Sequence, residues 1–217
     1  MNQRHPWSHN DHYAPWIADQ VCASSARHVL EVGCGTGNLV ALLRHRGLIV
    51  TALEPAPRMA HAAAKRFADD PAVTIVEAGF AARELRRRFD AVTLVAVLHH
   101  LPLTSTLREL RGCLHPGGRL VVVGCYREAG RLDRLVSLLS LLLNPVMGLA
   151  RQPARVNELP LHMTAPTVDP QETLNEIQVA AAQELPGARI RRRLFWRYSL
   201  VYDLPATVLP DCSEGLS

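Results

Sequence analysis

Three groups of residues in this chain have types and spacings that can do chemistry. Gly33, Gly35 and Gly37 alternate with Cys34 and Thr36 directly after the run Val29-Leu30-Glu31-Val32. A second acid, Glu54, follows about 20 residues later, where a doubly wound fold places a carboxylate on ribose hydroxyls. A pair of histidines, His99 and His100, closes an apolar run that begins at Phe89. Glycines leave no Cβ where backbone must lie against a ligand, and they accept positive φ. The spacing is G-x-G-x-G, one residue shorter than the dinucleotide fingerprint that cradles a pyrophosphate. Glu31 beside it would repel a pyrophosphate and suits a ligand that carries positive charge. Imidazole titrates near neutral pH, so either histidine has the chemistry of a general base.

These groups need strands to end where they stand and helices to begin. Asn38 reads as a helix N-cap, with Leu39, Val40, Leu42 and Leu43 as the apolar face behind it. Gly47 is a natural C′ residue, and Leu48–Leu53 reads as the second parallel strand, ending at Glu54. Pro55 to Met59 leads into an alanine-rich helix reaching about Phe67, and Val73–Val76 is the third strand. From Phe89 to Leu98 the run is almost continuously apolar, as expected of a strand buried on both faces at a sheet centre. Ser105–Leu114 is helical in pattern, and a valine-rich strand follows at Leu120–Gly124. Ile17–Cys22 reads as a short helix before the first strand. Pro170–Leu185 is a helix with Asp169 as its N-cap, and Ala188–Trp196 and Arg197–Leu204 pair as a hairpin. Alternating strands and helices predict an α/β fold with a parallel sheet.

Composition narrows the class. The 217 residues are 48% hydrophobic and 20% charged, consistent with one globular domain. The net charge of +4 is too small to argue for nucleic acid by itself. Cys22, Cys34, Cys113, Cys125 and Cys212 have no paired spacing, which suggests reduced thiols in a cytoplasmic protein. No apolar leader is visible. His5, His9 and His12 lack a matching set of acids or cysteines, so no metal site is expected. Glu84–Arg88 reads as a solvated charge cluster.

Leu30-Glu31-Val32-Gly33-Cys34-Gly35-Thr36-Gly37 resembles motif I of the class I S-adenosylmethionine-dependent methyltransferases. Phe89-Asp90-Ala91-Val92, with Leu98-His99-His100-Leu101 at the strand's end, resembles motif IV of the small-molecule branch. His115-Pro116-Gly117-Gly118 resembles the family's turn before strand five. The resemblance is strong over Arg27–Cys125 and weaker elsewhere. It implies a Rossmann-like fold, doubly wound, with a mostly parallel seven-stranded sheet and a C-terminal antiparallel hairpin. It also implies S-adenosyl-L-methionine as cofactor, held by Tyr13, Glu31, Gly33, Cys34, Gly35, Gly37, Asn38, Glu54, Pro55, Met59, Gly79, Phe80 and Val95. Within that set Met59 would border adenine, and Tyr13 either touches the cofactor's carboxylate or packs on the sheet edge. The family's acid after strand three is missing: the chain reads Glu77-Ala78-Gly79-Phe80, leaving backbone amides of Gly79 and Phe80 for the adenine edge. His99 is the favoured general base and His100 the residue that caps or packs, and an already ionised acceptor needs neither.

The expected organisation is an N-terminal lid over residues 1–26, a cofactor-binding core over 27–126 and an apolar insertion over 127–167. Residues 168–205 complete the sheet, and a tail covers 206–217. The insertion, strongly apolar at Leu132–Leu149, reads as a substrate cap; a homodimer face or an interfacial helix are the alternatives. Asp133, Arg134 and Pro145 interrupt it too much for stable membrane insertion. The function expected is methyl transfer to a small, largely apolar acceptor. An RNA methyltransferase, a methyltransferase-like binding subunit without turnover and a nicotinamide oxidoreductase are the alternatives. Nucleic acid is disfavoured, because no RNA-binding module or amino-methylation motif accompanies the arginines. Calorimetry should show S-adenosylhomocysteine binding and no heat with NAD; the reverse would overturn the assignment of the glycine turn.

Overall fold

The computed structural model describes residues 7–81, 85, 87–151, 160–164 and 168–206. Its centre is a seven-stranded sheet in the order β3-β2-β1-β4-β5-β7-β6. The strands are β1 (His28–Val32), β2 (Ile49–Leu53), β3 (Val73–Val76), β4 (Phe89–Val95), β5 (Leu114–Cys125), β6 (Arg189–Arg193) and β7 (Arg197–Asp203). The first five run parallel, and β7 is antiparallel to both β5 and β6. The order reverses between β1 and β4, so the crevice beyond their carboxyl ends is where such a sheet takes a ligand.

The alternation of side chains along each strand feeds two cores. Leu30, Val92, Leu94, Leu120, Val122 and Leu200 face α4 (Leu103–Gly112) and α6 (Leu174–Glu184). Val29, Val50, Ala91, Val121 and Val201 face the other side, under α1 (His9–Cys22), α2 (Asn38–His45) and α3 (Pro57–Arg66). Full burial of each Leu or Val contributes about 1.5–3 kcal/mol. Asp90 joins the strands at their entry, where its Oδ2 accepts the backbone N–H groups of Arg27 and His28, each at 2.9 Å.

Several boundaries differ from the expectations, each for a physical reason. Helix α1 starts at His9 and runs through Pro15; Ser8 caps it, its Oγ accepting from Asp11 N. Pro15 forfeits one ladder bond, but Tyr13, Ala14, Ile17, Ala18 and Val21 bury along the same helix. The N-cap of α2 is Gly37, in the left-handed region at φ 81°, not Asn38. The Asn38 amide is engaged elsewhere, donating to both Asp11 oxygens and accepting from Arg66. Strand β4 stops at Val95, because Ala96 takes φ 55° and the chain turns into a 3₁₀ turn at Leu98–His100. Helix α4 begins after Pro102 and ends at Gly112, with Leu114 already in β5. Thr173 caps α6, not Asp169, in a reciprocal capping box with Glu176. The Glu84–Arg88 cluster lies partly outside the described residues, as do His5, residues 152–159 of the insertion and the tail beyond Ala206.

Two aromatics shape the far edge. The β6–β7 turn holds Phe195 and Trp196 at φ 58°, uncommon for residues with a Cβ. Their contacts keep them there: Phe195 lies edge-on to Trp7 at 4.7 Å, and Trp196 Nε1 donates to Ser137 Oγ at 2.7 Å.

Opposite Asp90, the β5 register slips over the Pro116-Gly117-Gly118 bulge. A Cβ at Gly118 would stand 2.8 Å from the His115 carbonyl oxygen and 3.0 Å from that of Asp90. Gly118→Ala should therefore cost about 1–3 kcal/mol in chemical denaturation. Gly79→Ala, where nothing lies within 4 Å, should change stability by less than about 0.5 kcal/mol. Equal effects at the two positions would contradict the close backbone approach.

Candidate active site

The site is built from the loops that leave β1, β2, β3 and β4. After β1 the chain turns back on β2: the N–H groups of Gly33 and Cys34 both donate to the Leu53 carbonyl, at 2.8 and 3.0 Å. Gly37 N closes the turn on Cys34 O at 2.9 Å. Glu54 clamps the outer part, accepting from Gly35 N on Oε2 at 2.7 Å and from Ala56 N on Oε1 at 2.9 Å. A Cβ at Gly33 would collide with Val97, and one at Gly37 with the Phe67 ring. Gly35, at φ 56°, has open space where its Cβ would be.

A cavity of about 410 Å³ opens over this loop. Its floor is Glu31, Gly33, Cys34 and Gly35, with Glu54 and Pro55 on one side and Ala78, Gly79 and Phe80 beyond them. Val95, Ala96, Val97, His100 and Leu101 form the opposite wall. Ser8, Asn10, Asp11 and Ala14 of α1 cover it, joined by His162. His162 Nε2 stands 3.4 Å from Asp11 Oδ2. The cover is fastened at several points. Trp7 Nε1 donates to Asn144 Oδ1 at 2.8 Å, Tyr13 Oη to Leu194 O at 2.9 Å, and Arg197 Nη2 to Asn10 Oδ1 at 3.1 Å.

Glu31 dominates the electrostatics. It is 2% exposed, and its Oε2 is buried with no hydrogen-bond partner. Burial, with the nearby Glu54 charge adding to it, pushes its carboxyl well above the usual carboxylate range. Burial and the same two acids push the Cys34 thiol far up, so Cys34 is a neutral wall residue. His99 is lowered to about 4, by burial first and then by His100 and Arg197.

The structure brings most of the expected residues together. Glu31, Gly33, Cys34, Gly35, Asn38, Glu54, Pro55, Gly79, Phe80, Val95 and His100 line the cavity. Tyr13, Gly37, Met59 and His99 do not line it. Tyr13 is buried in the α1 core, Met59 is 5% exposed, and Gly37 packs on Phe67. The His99 ring tilts against His100 with centroids 4.1 Å apart, and its buried Nδ1 has no partner. Sequence reasoning missed the cover residues Ser8, Asn10, Asp11 and Ala14, and also Val97, Leu101 and His162. Ser8-x-x-Asp11 was the available signal for the first of these, a helix start just ahead of the apolar positions. Among the described residues no cluster of three or more His, Cys, Asp or Glu could hold a metal ion.

This arrangement has counterparts in known proteins. A family model described as a methyltransferase domain matches residues 30–122. An uncharacterized methyltransferase of Mycobacterium tuberculosis is 35% identical over 204 residues, covering 92% of this chain and 98% of that one. Among solved structures, magnesium protoporphyrin IX methyltransferase from Synechocystis with bound S-adenosylhomocysteine shares the fold at a TM-score of 0.57 and 17% identity. That match covers 89% of this chain and 82% of that one. Human N-acetylserotonin methyltransferase in complex with S-adenosylmethionine does so at 0.59 and 15% identity, covering 90% and 52%. The chain belongs to the class I S-adenosylmethionine-dependent methyltransferases. It is a methyltransferase, and its cofactor is S-adenosylmethionine.

The residues present fit that cofactor. The orphaned Glu31 oxygen offers a buried partner for an ammonium group. Each Glu54 oxygen already takes one backbone amide and keeps a lone pair for a hydroxyl. An unpaired carboxylate in the ligand-free protein has a definite signature. Its raised pKa disfavours ionisation in the fold, so stability falls as pH rises above the ordinary carboxylate range toward the folded pKa. Glu31→Gln should raise the melting temperature of the ligand-free protein at neutral pH. It should also weaken S-adenosylhomocysteine binding by about 1.5–3 kcal/mol. Wild-type affinity should fall on acidification as Glu31 protonates, while that of Glu31→Gln stays flat. Calorimetry with unchanged affinity would show that the ammonium lies elsewhere.

Proposed function

We propose that the enzyme methylates a small, largely apolar acceptor bound between the β4 turn and the cover. The supporting observation is the wall of the cavity: Ala14, Phe80, Val97 and Leu101 face it, and no Lys or Arg is among the described residues that line it. His100 and His162 are the basic side chains in that wall, so no permanent cation stands ready for a phosphate or carboxylate on the acceptor. The solved relatives named for magnesium protoporphyrin IX and N-acetylserotonin support a small-molecule acceptor.

When bound, S-adenosylmethionine supplies an electrophilic methyl on a sulfonium. The protein's part is alignment and dryness. Glu31 and Glu54 fix the two ends of the cradle, and α1 keeps water from the apolar wall. Asp11 and His162, paired across the opening, are the polar groups available to orient an acceptor. The 127–167 segment contributes to the cap through His162, and through Asn144, which holds Trp7 of the cover.

His100 is the general base in this reading for a hydroxyl or amine acceptor, since it stands in the cavity wall. His99, held near pKa 4, is a far weaker base at neutral pH. His100→Asn should lower kcat by about 10²–10⁴-fold with S-adenosylhomocysteine affinity unchanged, and His99→Asn should retain most turnover. The assay is a screen of apolar phenols and amines that reads the S-adenosylhomocysteine released as the methyl passes to the acceptor. An acid limb of the rate centred near 4 that vanishes in His99→Asn would transfer the role to His99. Turnover confined to polyanionic acceptors would refute the apolar site.

A further inference from the structure

Helix α5 (Arg131–Arg151) turns its polar residues inward and its leucines outward. Asp133, Ser137, Ser140 and Asn144 form one stripe, and every member is engaged by the fold. Asp133 accepts from Arg192 Nε at 2.8 Å and from two backbone amides. Ser137 accepts from Trp196, Ser140 from Phe195 N at 2.9 Å, and Asn144 from Trp7. On the opposite side Leu132, Leu135, Leu139, Leu142, Val146 and Leu149 are between 46% and 66% exposed. Their 3-4-3-4-3 spacing would suit a second helix. The face is wider than such a seam, however, because Leu138 and Leu141 flank it at 55% and 56% exposure.

The charges choose between possible occupants. The exposed charged residues on α5 are Arg131, Arg134 and Arg151, all positive; Arg151, seven residues after Asn144, lies on the side of the polar stripe with its Nη2 3.4 Å from His12 Nδ1, and the helix's one acid is buried in the pair with Arg192. Two parallel copies of α5 would bring Arg131 and Arg134 against their counterparts, and in either orientation no exposed acid on the helix would meet them. A layer of anionic headgroups over an apolar interior meets both features at once. Glu128, exposed just before the helix, is the nearest opposing charge on this segment, and Arg127 beside it pairs with Glu176 at 3.8 Å. The helix is long and apolar enough to cross a bilayer. Crossing would strip four polar side chains of their partners inside hydrocarbon, so the favoured geometry is in plane.

We propose that α5 docks this enzyme on an anionic phospholipid surface, its leucine face sunk at the headgroup boundary and Arg131 and Arg134 on the phosphates. The test is flotation of the full chain with phosphatidylcholine vesicles, with and without phosphatidylglycerol, at low and high salt. The wild type should float with the mixed vesicles at low salt and far less with phosphatidylcholine alone. Leu135→Glu with Leu142→Glu should reduce flotation at least tenfold, and Arg131→Gln with Arg134→Gln several-fold on anionic vesicles only. Both variants sit at exposed positions and should bind S-adenosylhomocysteine as the wild type does. A wild type that stays unbound at low salt, or a double-glutamate variant that floats equally well, overturns the proposal. So does a lipid-free dimer by light scattering that the double-glutamate variant splits while the wild type ignores vesicles.

Discussion

The site depends on one carboxylate that is already spoken for. Glu54 ends β2, and its two oxygens hold the amides of Gly35 and Ala56, tying the glycine turn after β1 to the start of α3. Without that clamp, three glycines in the left-handed region would pay the entropy of ordering with little to hold them. The clamp uses one lone pair on each oxygen. A ligand hydroxyl that takes the remainder therefore completes the network and does not compete with it.

Glu31 is the counterpart of this arrangement. It shares the buried space with Glu54 but has no protein partner for one oxygen, which leaves that oxygen to accept from a ligand cation. Such groups persist where function needs them, at some expense in stability. Glu31 is itself buried, and a low local dielectric strengthens whatever pairing the ligand provides.

The glycine turn, the acid at the end of β2 and the succession of parallel strands along the chain were legible because each rests on local chemistry: missing Cβ atoms, strand-end acids and a turn signal. Failures came where distant residues decided. Asn38 looked like a cap until Asp11 and Arg66 claimed its amide, and α1 looked short until packing overrode Pro15. The turn at Ala96 had no signal, since alanine does not announce a positive φ, and that turn leaves His100 rather than His99 in the wall. His162 reaches the cavity from far along the chain, with no local pattern to reveal it. The apolar count of α5 was plain in the sequence. Its orientation was not read: the stripe at Asp133, Ser137, Ser140 and Asn144 faces the protein, and the leucines that read as a substrate cap face outward.

The bonds that fasten the cover span nearly the whole chain: Tyr13 to Leu194 and Asn10 to Arg197 are separated by 181 and 187 residues. During synthesis α1 leaves the ribosome well before the turn that anchors it, the bonded residues standing so far apart in the chain. Contacts of such separation form late, because loop closure must precede them. The cradle from β1 to β4 can fold while its roof is still open. A nascent chain thus passes through a stage at which the cofactor cleft exists but water still reaches it, and closure of the reaction chamber awaits the β6–β7 hairpin.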